Sequence, residues 1–317
     1  MHVKTNINPF WLAIPATCDF MASTLMFIAL TMVDASIYQM MRGIIVVIAA
    51  LLSIVFLGRK LYRHHWVAIV LIVGGVAEVG IIAILFPDDS EGASSSDNEV
   101  LGIMLLLLSQ LFAGSMFIIE EKLLNQYYLD PFLIVGTEGM WGTLYYFILL
   151  PIMQYIHCEG DATLDKLCNY GYLENSAYAF AQMKDNAWIP VLSILTIFSI
   201  AFFNTFGIAV TKFASAAQRS TIDTSRTILI WFFSCVLGLE KFEWREIFGF
   251  IMLAFGTLMF NEIFVIPYFG FDTNTADKIK ARKEETDTAG YMASSPQTYS
   301  TTRNQRLLNV KGSMAKR

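Results

Sequence analysis

The chain has 317 residues, 55% of them hydrophobic and only 15% charged, with a mean hydropathy of +0.52. An ordinary globular domain carries about 25% charged residues, so a water-soluble protein of this composition would expose large apolar patches, and the composition indicates a multi-span membrane protein. The formal net charge of −5 decides little, because the charges are sorted by loop, and basic residues dispersed in this way exclude a nucleic-acid-binding surface.

A membrane helix needs about 20 mostly apolar residues. Eight such runs follow one another: 9–32, 36–57, 66–86, 101–120, 132–156, 188–211, 217–238 and 246–266. They predict an all-α membrane protein with eight transmembrane helices. The first run is no cleavable signal peptide, since Asp19 interrupts its middle and no small-residue cleavage site follows it. Six charged side chains lie well inside the runs: Asp19, Arg42, Glu78, Glu138, Asp223 and Arg226. A charge at the centre of a membrane helix costs roughly 2.5–3.5 kcal/mol on insertion scales, so such residues are usually paired, water-lined and functional.

Loop charge sets the expected orientation. The termini and the loops at 58–65, 121–131 and 212–216 share one side and carry fifteen of the 22 Lys and Arg residues, against four in the loops at 87–100, 157–187 and 239–245. Positive-inside bias makes both termini cytosolic. The acidic loop 88–100 then faces the lumen, and so does the long loop 157–187. In that loop Cys158 and Cys168 either close a short disulfide, worth about 2–3 kcal/mol if unstrained, or stay as two thiols. Leu173, Ala177, Phe180 and Ala181 recur there at helical spacing and predict a short helix on the membrane surface. The tail 267–317 is rich in Lys, Thr, Ser and Asn and reads as disordered.

The chain also echoes itself about 180 residues apart. Phe56-Leu57-Gly58, Trp66 and Gly74-Gly75 have counterparts in Val236-Leu237-Gly238, Trp244, Gly249 and Gly256. Asp19 and Asn204 stand at comparable places upstream. A second repeat, 101–266, then has five spans and a first repeat, 1–87, only three. Five spans per half would turn the halves in opposite senses, the inverted arrangement that supports alternating access. On this count the chain is two helices short at its start: either two spans precede it, or an eight-span variant exists. Gly74-Gly75 lies mid-span rather than at a strand-to-helix turn, so a phosphate-loop reading fails.

The segments Leu12-Ala13-Ile14-Pro15-Ala16-Thr17-Cys18-Asp19, Tyr38-Gln39-Met40-Met41-Arg42-Gly43, Glu120-Glu121-Lys122, Val135-Gly136-Thr137-Glu138-Gly139, Ile200-Ala201-Phe202-Phe203-Asn204 and Asp223-Thr224-Ser225-Arg226-Thr227 occur in order between residues 8 and about 266. In these the chain resembles the drug/metabolite transporter superfamily, and within it the F subfamily of solute carrier family 35. The resemblance implies ten helices in two inverted five-helix repeats and cytosolic termini. It further implies transport of a small organic solute across an endomembrane, lysosome, vacuole or Golgi, with no cofactor. It does not carry a substrate with it.

The candidates for a substrate cavity or for coupling are Asp19, Gln39, Arg42, Glu78, Glu138, Asn204, Asp223 and Arg226. Arg219, Asp223 and Arg226 share one helix face at i, i+4 and i+7. Arg226 is about 14 Å into its helix at 1.5 Å per residue, deep enough to hold an anionic solute. Arg219 is nearer the cytosolic end and serves either in a structural ion pair or at the headgroups. Arg42 either faces the same cavity or partners Asp19. Burial disfavours the charged form of an unpaired carboxyl, which makes Asp19, Glu78 and Glu138 candidates for proton coupling or, equally, neutral packing groups. Gly136, Gly139 and Gly142 flank Glu138 and allow close helix packing. Asn204 offers a neutral donor and acceptor to a solute or to a neighbouring helix.

No metal-ligand spacing and no hydrolase, kinase or dinucleotide signature is present, so an enzyme is not expected. The alternative to a transporter is a non-transporting scaffold or receptor that kept the fold. The solute, the organelle and the oligomeric state cannot be read from the chain.

Overall fold

The computed structural model describes residues 7–33, 35–85, 96–127, 129–156, 172, 174–238, 244, 246–265, 267, 271–275, 278–282 and 284–286. The chain divides into two compact units, Met1–Asn261 and Glu262–Arg317.

The first unit opens with a 3₁₀ turn, Pro9–Leu12, capped by Asn8, whose side chain accepts from the Phe10 amide. Then follow α1 (Ala13–Leu30), α2 (Ala35–Met41), α3 (Ile44–Leu57), α4 (Arg63–Leu85), α5 (Ser96–Gln126), α6 (Pro131–Tyr155), α7 (Ser176–Asp185), α8 (Trp188–Phe213), α9 (Ala216–Val236) and α10 (Glu246–Phe260). Among the described residues, six segments are long and apolar enough to cross a membrane: Pro9–Leu30, Ile37–Leu57, Arg63–Ile82, Val100–Gln126, Pro131–Tyr155 and Trp188–Phe213.

The expected count of eight is therefore not reached on length and composition. The last two runs do fold as helices. However, α9 carries Arg219, Asp223 and Arg226, and α10 has only 15 residues, about 22 Å at 1.5 Å each, against a hydrocarbon core of roughly 30 Å.

Two elements depart from the apolar runs. The run 36–57 is not one uniform helix: at Arg42–Gly43 the backbone bonds tighten to i→i+3, with Gly43 N–H to Met40 O at 3.0 Å and Ile45 N–H to Arg42 O at 3.2 Å. Such 3₁₀ stretches within a helix often mark hinges. The fourth run was expected to end at residue 120, yet α5 continues through Glu120, Glu121 and Lys122 to Gln126. Both carboxylates are buried and paired, so the helix need not end at them.

α10 packs along α4, and α5 lies between α1 and α3. The α4–α10 seam explains the echoed glycines: a Cβ on Gly75 would stand 2.5 Å from the Gly249 carbonyl oxygen, and one on Gly249 would stand 2.8 Å from that of Gly75. Gly58 ends α3 in the left-handed region (φ 65°), with the Gly58 amide on Ile54 O and the Arg59 amide on Ser53 O. The Gly58-to-Ile54 bond is that of the αL closure, which glycine adopts without the strain a Cβ would bring. Gly238, its counterpart in the echo, has φ 67°. In loop 157–187, α7 takes in Ala177, Phe180 and Ala181 of the expected short helix and has no buried residue, while Leu173 lies outside the described residues.

In the second unit, Lys278 Nζ lies 2.8 Å from Asp272 Oδ2 and holds that carboxyl below the usual range. Residues 278–282 and 284–286 are helical within a stretch that its composition suggests is disordered.

Candidate functional site

α9 carries two of the six charged candidates, Asp223 and Arg226, together with Arg219, and its start is firmly anchored. Ser215 Oγ accepts from the Gln218 amide at 3.1 Å, a side-chain N-cap. Glu121 Oε2 accepts from the Ala216 amide at 2.8 Å, which puts a carboxylate at the positive end of the helix dipole. The other oxygen of Glu121 pairs with Arg59, whose backbone the Gly58 closure positions. From this anchor the face bearing 219, 223 and 226 turns inward and meets two separate groups of charges.

The first group is acidic. Arg219 is 6% exposed and pairs with Glu120 of α5, itself 1% exposed. The guanidinium lies 4.3 Å over the Phe117 ring, and on its other side a Cβ on Gly207 would stand 2.9 Å from Nε. An aromatic face and a bare glycine therefore form the slot. Asp19 of α1 and Glu138 of α6 act electrostatically on the same pair. Glu120 alone pairs with the guanidinium while two further carboxyls act on it from a distance, and in low dielectric such an excess calls for protons or a cation. Glu120 Oε1 and Glu138 Oε1 are buried and make no hydrogen bond among the described residues. Asp19 is exposed on the α1 side. There Thr17 Oγ1 and Tyr145 OH, 2.9 Å apart, tie α1 to α6.

The second group is basic. Arg42, at the tightened backbone between α2 and α3, reaches Asp223 Oδ2 at 3.4 Å, and Arg226 Nη2 lies 2.8 Å from Asp223 Oδ1. The Arg226 contact is an ion pair by distance only, since Oδ1 accepts no hydrogen bond among the described residues. Arg42 sits 5.8 Å over Tyr38 and Arg226 4.4 Å over Phe203. The aromatic faces hold the two cations by cation–π attraction. Arg226 Nε and Gln39 Oε1 are buried without a hydrogen-bond partner among the described residues. Two guanidiniums facing one carboxylate leave capacity for an anion.

The remaining candidates divide. Asn204, on α8, is half-buried and makes no hydrogen bond among the described residues. Glu78 joins neither group: a Cβ on Gly249 would stand 2.7 Å from its Oε2, and no charged neighbour acts on it among the described residues. Arg42 partners Asp223 rather than Asp19. Gly136, Gly139 and Gly142, expected to pack tightly, have nothing within 4 Å of an added Cβ. Gly136 and Gly139 border an open groove with Met140 and Phe147. Cys158 and Cys168 lie outside the described residues. Sequence reasoning misses Glu120 as a partner of Arg219, because it stands where the apolar run stops.

A nucleotide-sugar transporter family model matches residues 2–130. Solute carrier family 35 member F6 of Homo sapiens is 36% identical over 254 residues, covering 80% of this chain and 67% of that protein. An uncharacterized protein of Schizosaccharomyces pombe is 34% identical over 259 residues, 81% of this chain and 75% of its own length. The UDP-N-acetylglucosamine transporter of Rattus norvegicus is 30% identical over 138 residues, 42% of this chain and 41% of that one. The chain thus spans about two thirds of the human relative.

Proposed function

The chain belongs to solute carrier family 35, and from that membership we propose that it is a multi-pass carrier moving a small organic solute across an endomembrane, lysosome, vacuole or Golgi, by alternating access. In this reading α9 and α10 are counted with the six long apolar segments, which gives eight crossings with both termini in the cytosol, as part of a ten-helix fold of two inverted five-helix repeats. The common left-handed backbone of Gly58 and Gly238 supports the repeat.

The Arg42–Asp223 bridge carries the proposal. It joins residues 181 positions apart, at the point where the helix backbone tightens. An ion pair between the halves of a carrier is a contact that a charged solute can replace. The solute is anionic, because two guanidiniums share one carboxylate here and because planar guanidiniums bind phosphate or carboxylate bidentately. A UDP-sugar is the first candidate, since relatives of the chain include a UDP-N-acetylglucosamine transporter and a UDP-galactose translocator. Asp19, Gln39, Glu138 and Asn204 complete the polar lining together with Glu120 and Arg219, and Glu78 has no part in it. The acid excess around Arg219 takes up a proton whose release couples transport to a pH gradient.

Uptake by the full-length protein in proteoliposomes tests this. UDP-N-acetylglucosamine and a panel of organic anions should include a saturable substrate whose flux responds to an imposed pH gradient. Arg226→Gln should lower that uptake about tenfold, the equivalent of roughly 1.4 kcal/mol of binding. Uptake indifferent to Arg226 rejects the anion site, and flux indifferent to the gradient rejects the coupling.

A further inference from the structure

Away from both ionic clusters, a groove of about 430 Å³ runs between the start of α1, the end of α3 and the last turns of α5. Its volume falls within the roughly 300–1,000 Å³ of small-ligand sites. The walls include Trp11, Ile14 and Phe56, which are 55%, 45% and 58% exposed, together with Leu52 and Ile119. Large apolar side chains standing open in this way are at home against hydrocarbon.

One end of the groove differs. Lys122 lines it there, exposed and without an ion-pair partner among the described residues. Its neighbours Glu120 and Glu121 have both turned inward to arginines. Lys60, four residues past Phe56 and beyond the Gly58 cap, is likewise exposed and unpaired among the described residues. The groove thus joins apolar walls to the Lys122 cation, on the side of the chain richest in Lys and Arg. By the positive-inside rule that side is the cytosolic one, and the cytosolic leaflet holds the anionic lipids.

We propose that this groove binds one anionic phospholipid of the cytosolic leaflet, with an acyl chain against Ile14, Leu52, Phe56 and Ile119 and the net negative headgroup, which a zwitterionic lipid lacks, on Lys122. The lysine stem can lie along the apolar wall while its ammonium reaches headgroup level. A second copy of the chain is a poorer occupant: an apolar helix face over the groove would bury the Lys122 charge without a counter-ion. The assignment does not rest on the transport reading, because neither ionic cluster contributes to the groove.

Native mass spectrometry of the full-length protein, with phosphatidylserine or phosphatidylcholine of identical acyl chains, decides it. The expected result is retention of one phosphatidylserine in preference to phosphatidylcholine. Lys122→Gln should reduce that preference about fivefold, matching the roughly 1 kcal/mol that one basic residue contributes at an anionic surface. Ile119→Trp, which fills the groove and leaves the lysine in place, should abolish retention of both lipids. Equal retention of the two lipids, or a preference unchanged by Lys122→Gln, overturns the proposal. So does efficient disulfide cross-linking of two copies through Ser115→Cys, which would make the groove an interface.

Discussion

The two ionic clusters on α9 lie one to two turns apart and are built oppositely. Around Arg219, one carboxylate is paired and two more act electrostatically on the same base, and the central pair is almost completely buried. Around Asp223, two bases share one acid, and the Arg226 side chain keeps 37% of its surface exposed. One helix face thus presents an acid-rich pocket and a base-rich pocket in succession. The difference shows that charge stoichiometry, and not the mere presence of buried charge, separates a place for a proton or cation from a place for an anion.

The contrast can be broken most severely at Arg219. Arg219→Met removes the only base of the acidic group and leaves Glu120 buried and uncompensated, which should cost about 3–5 kcal/mol. Thermal unfolding in detergent should register a large fall in Tm, and adding Glu120→Gln should recover most of it. A single variant as stable as the parent would mean that the acidic group does not depend on its arginine.

A smaller loss is expected in the basic group. Asp223→Asn leaves two guanidiniums without their carboxylate but within reach of water, at about 1–3 kcal/mol, and the same melting experiment should rank it well below Arg219→Met. The smallest effect on stability belongs to Glu138→Gln, which keeps the shape of the side chain while deleting a carboxyl from the side in excess. Its Tm should change less than that of Asp223→Asn, while proteoliposome uptake persists and no longer responds to an imposed pH gradient. A variant that keeps the gradient response would move the coupling group to Asp19 or Glu120.

Much of the helix pattern is legible in the sequence. The runs 132–156 and 188–211 correspond closely to Pro131–Tyr155 and Trp188–Phe213, since apolar composition is a local property. The start of α6 carries its own signal as well: Asp130 Oδ1 accepts from the Phe132 amide at 2.9 Å, with Pro131 at the first helical position. The end of α5 gives no such signal. Two adjacent glutamates resemble a helix boundary until partners are found for them, and those partners lie 99 and 95 positions further along the chain. Small-residue spacing is ambiguous in a similar way. Gly75 and Gly249 do mark a tight seam, whereas Gly136, Gly139 and Gly142 have the same look and face open space. A glycine leaves room for a neighbour but does not supply one.

Local composition determined the membrane class, the positions of the helices and the set of ionisable groups that must be accommodated inside them. Tertiary structure alone decided that Arg42 meets Asp223 rather than Asp19, that Arg219 meets Glu120, and that Glu78 meets neither cluster. The reason is physical. Hydropathy sums over neighbours in the chain, whereas the energy of a buried charge depends on the groups within a few ångströms of it, and those come from helices far apart in sequence.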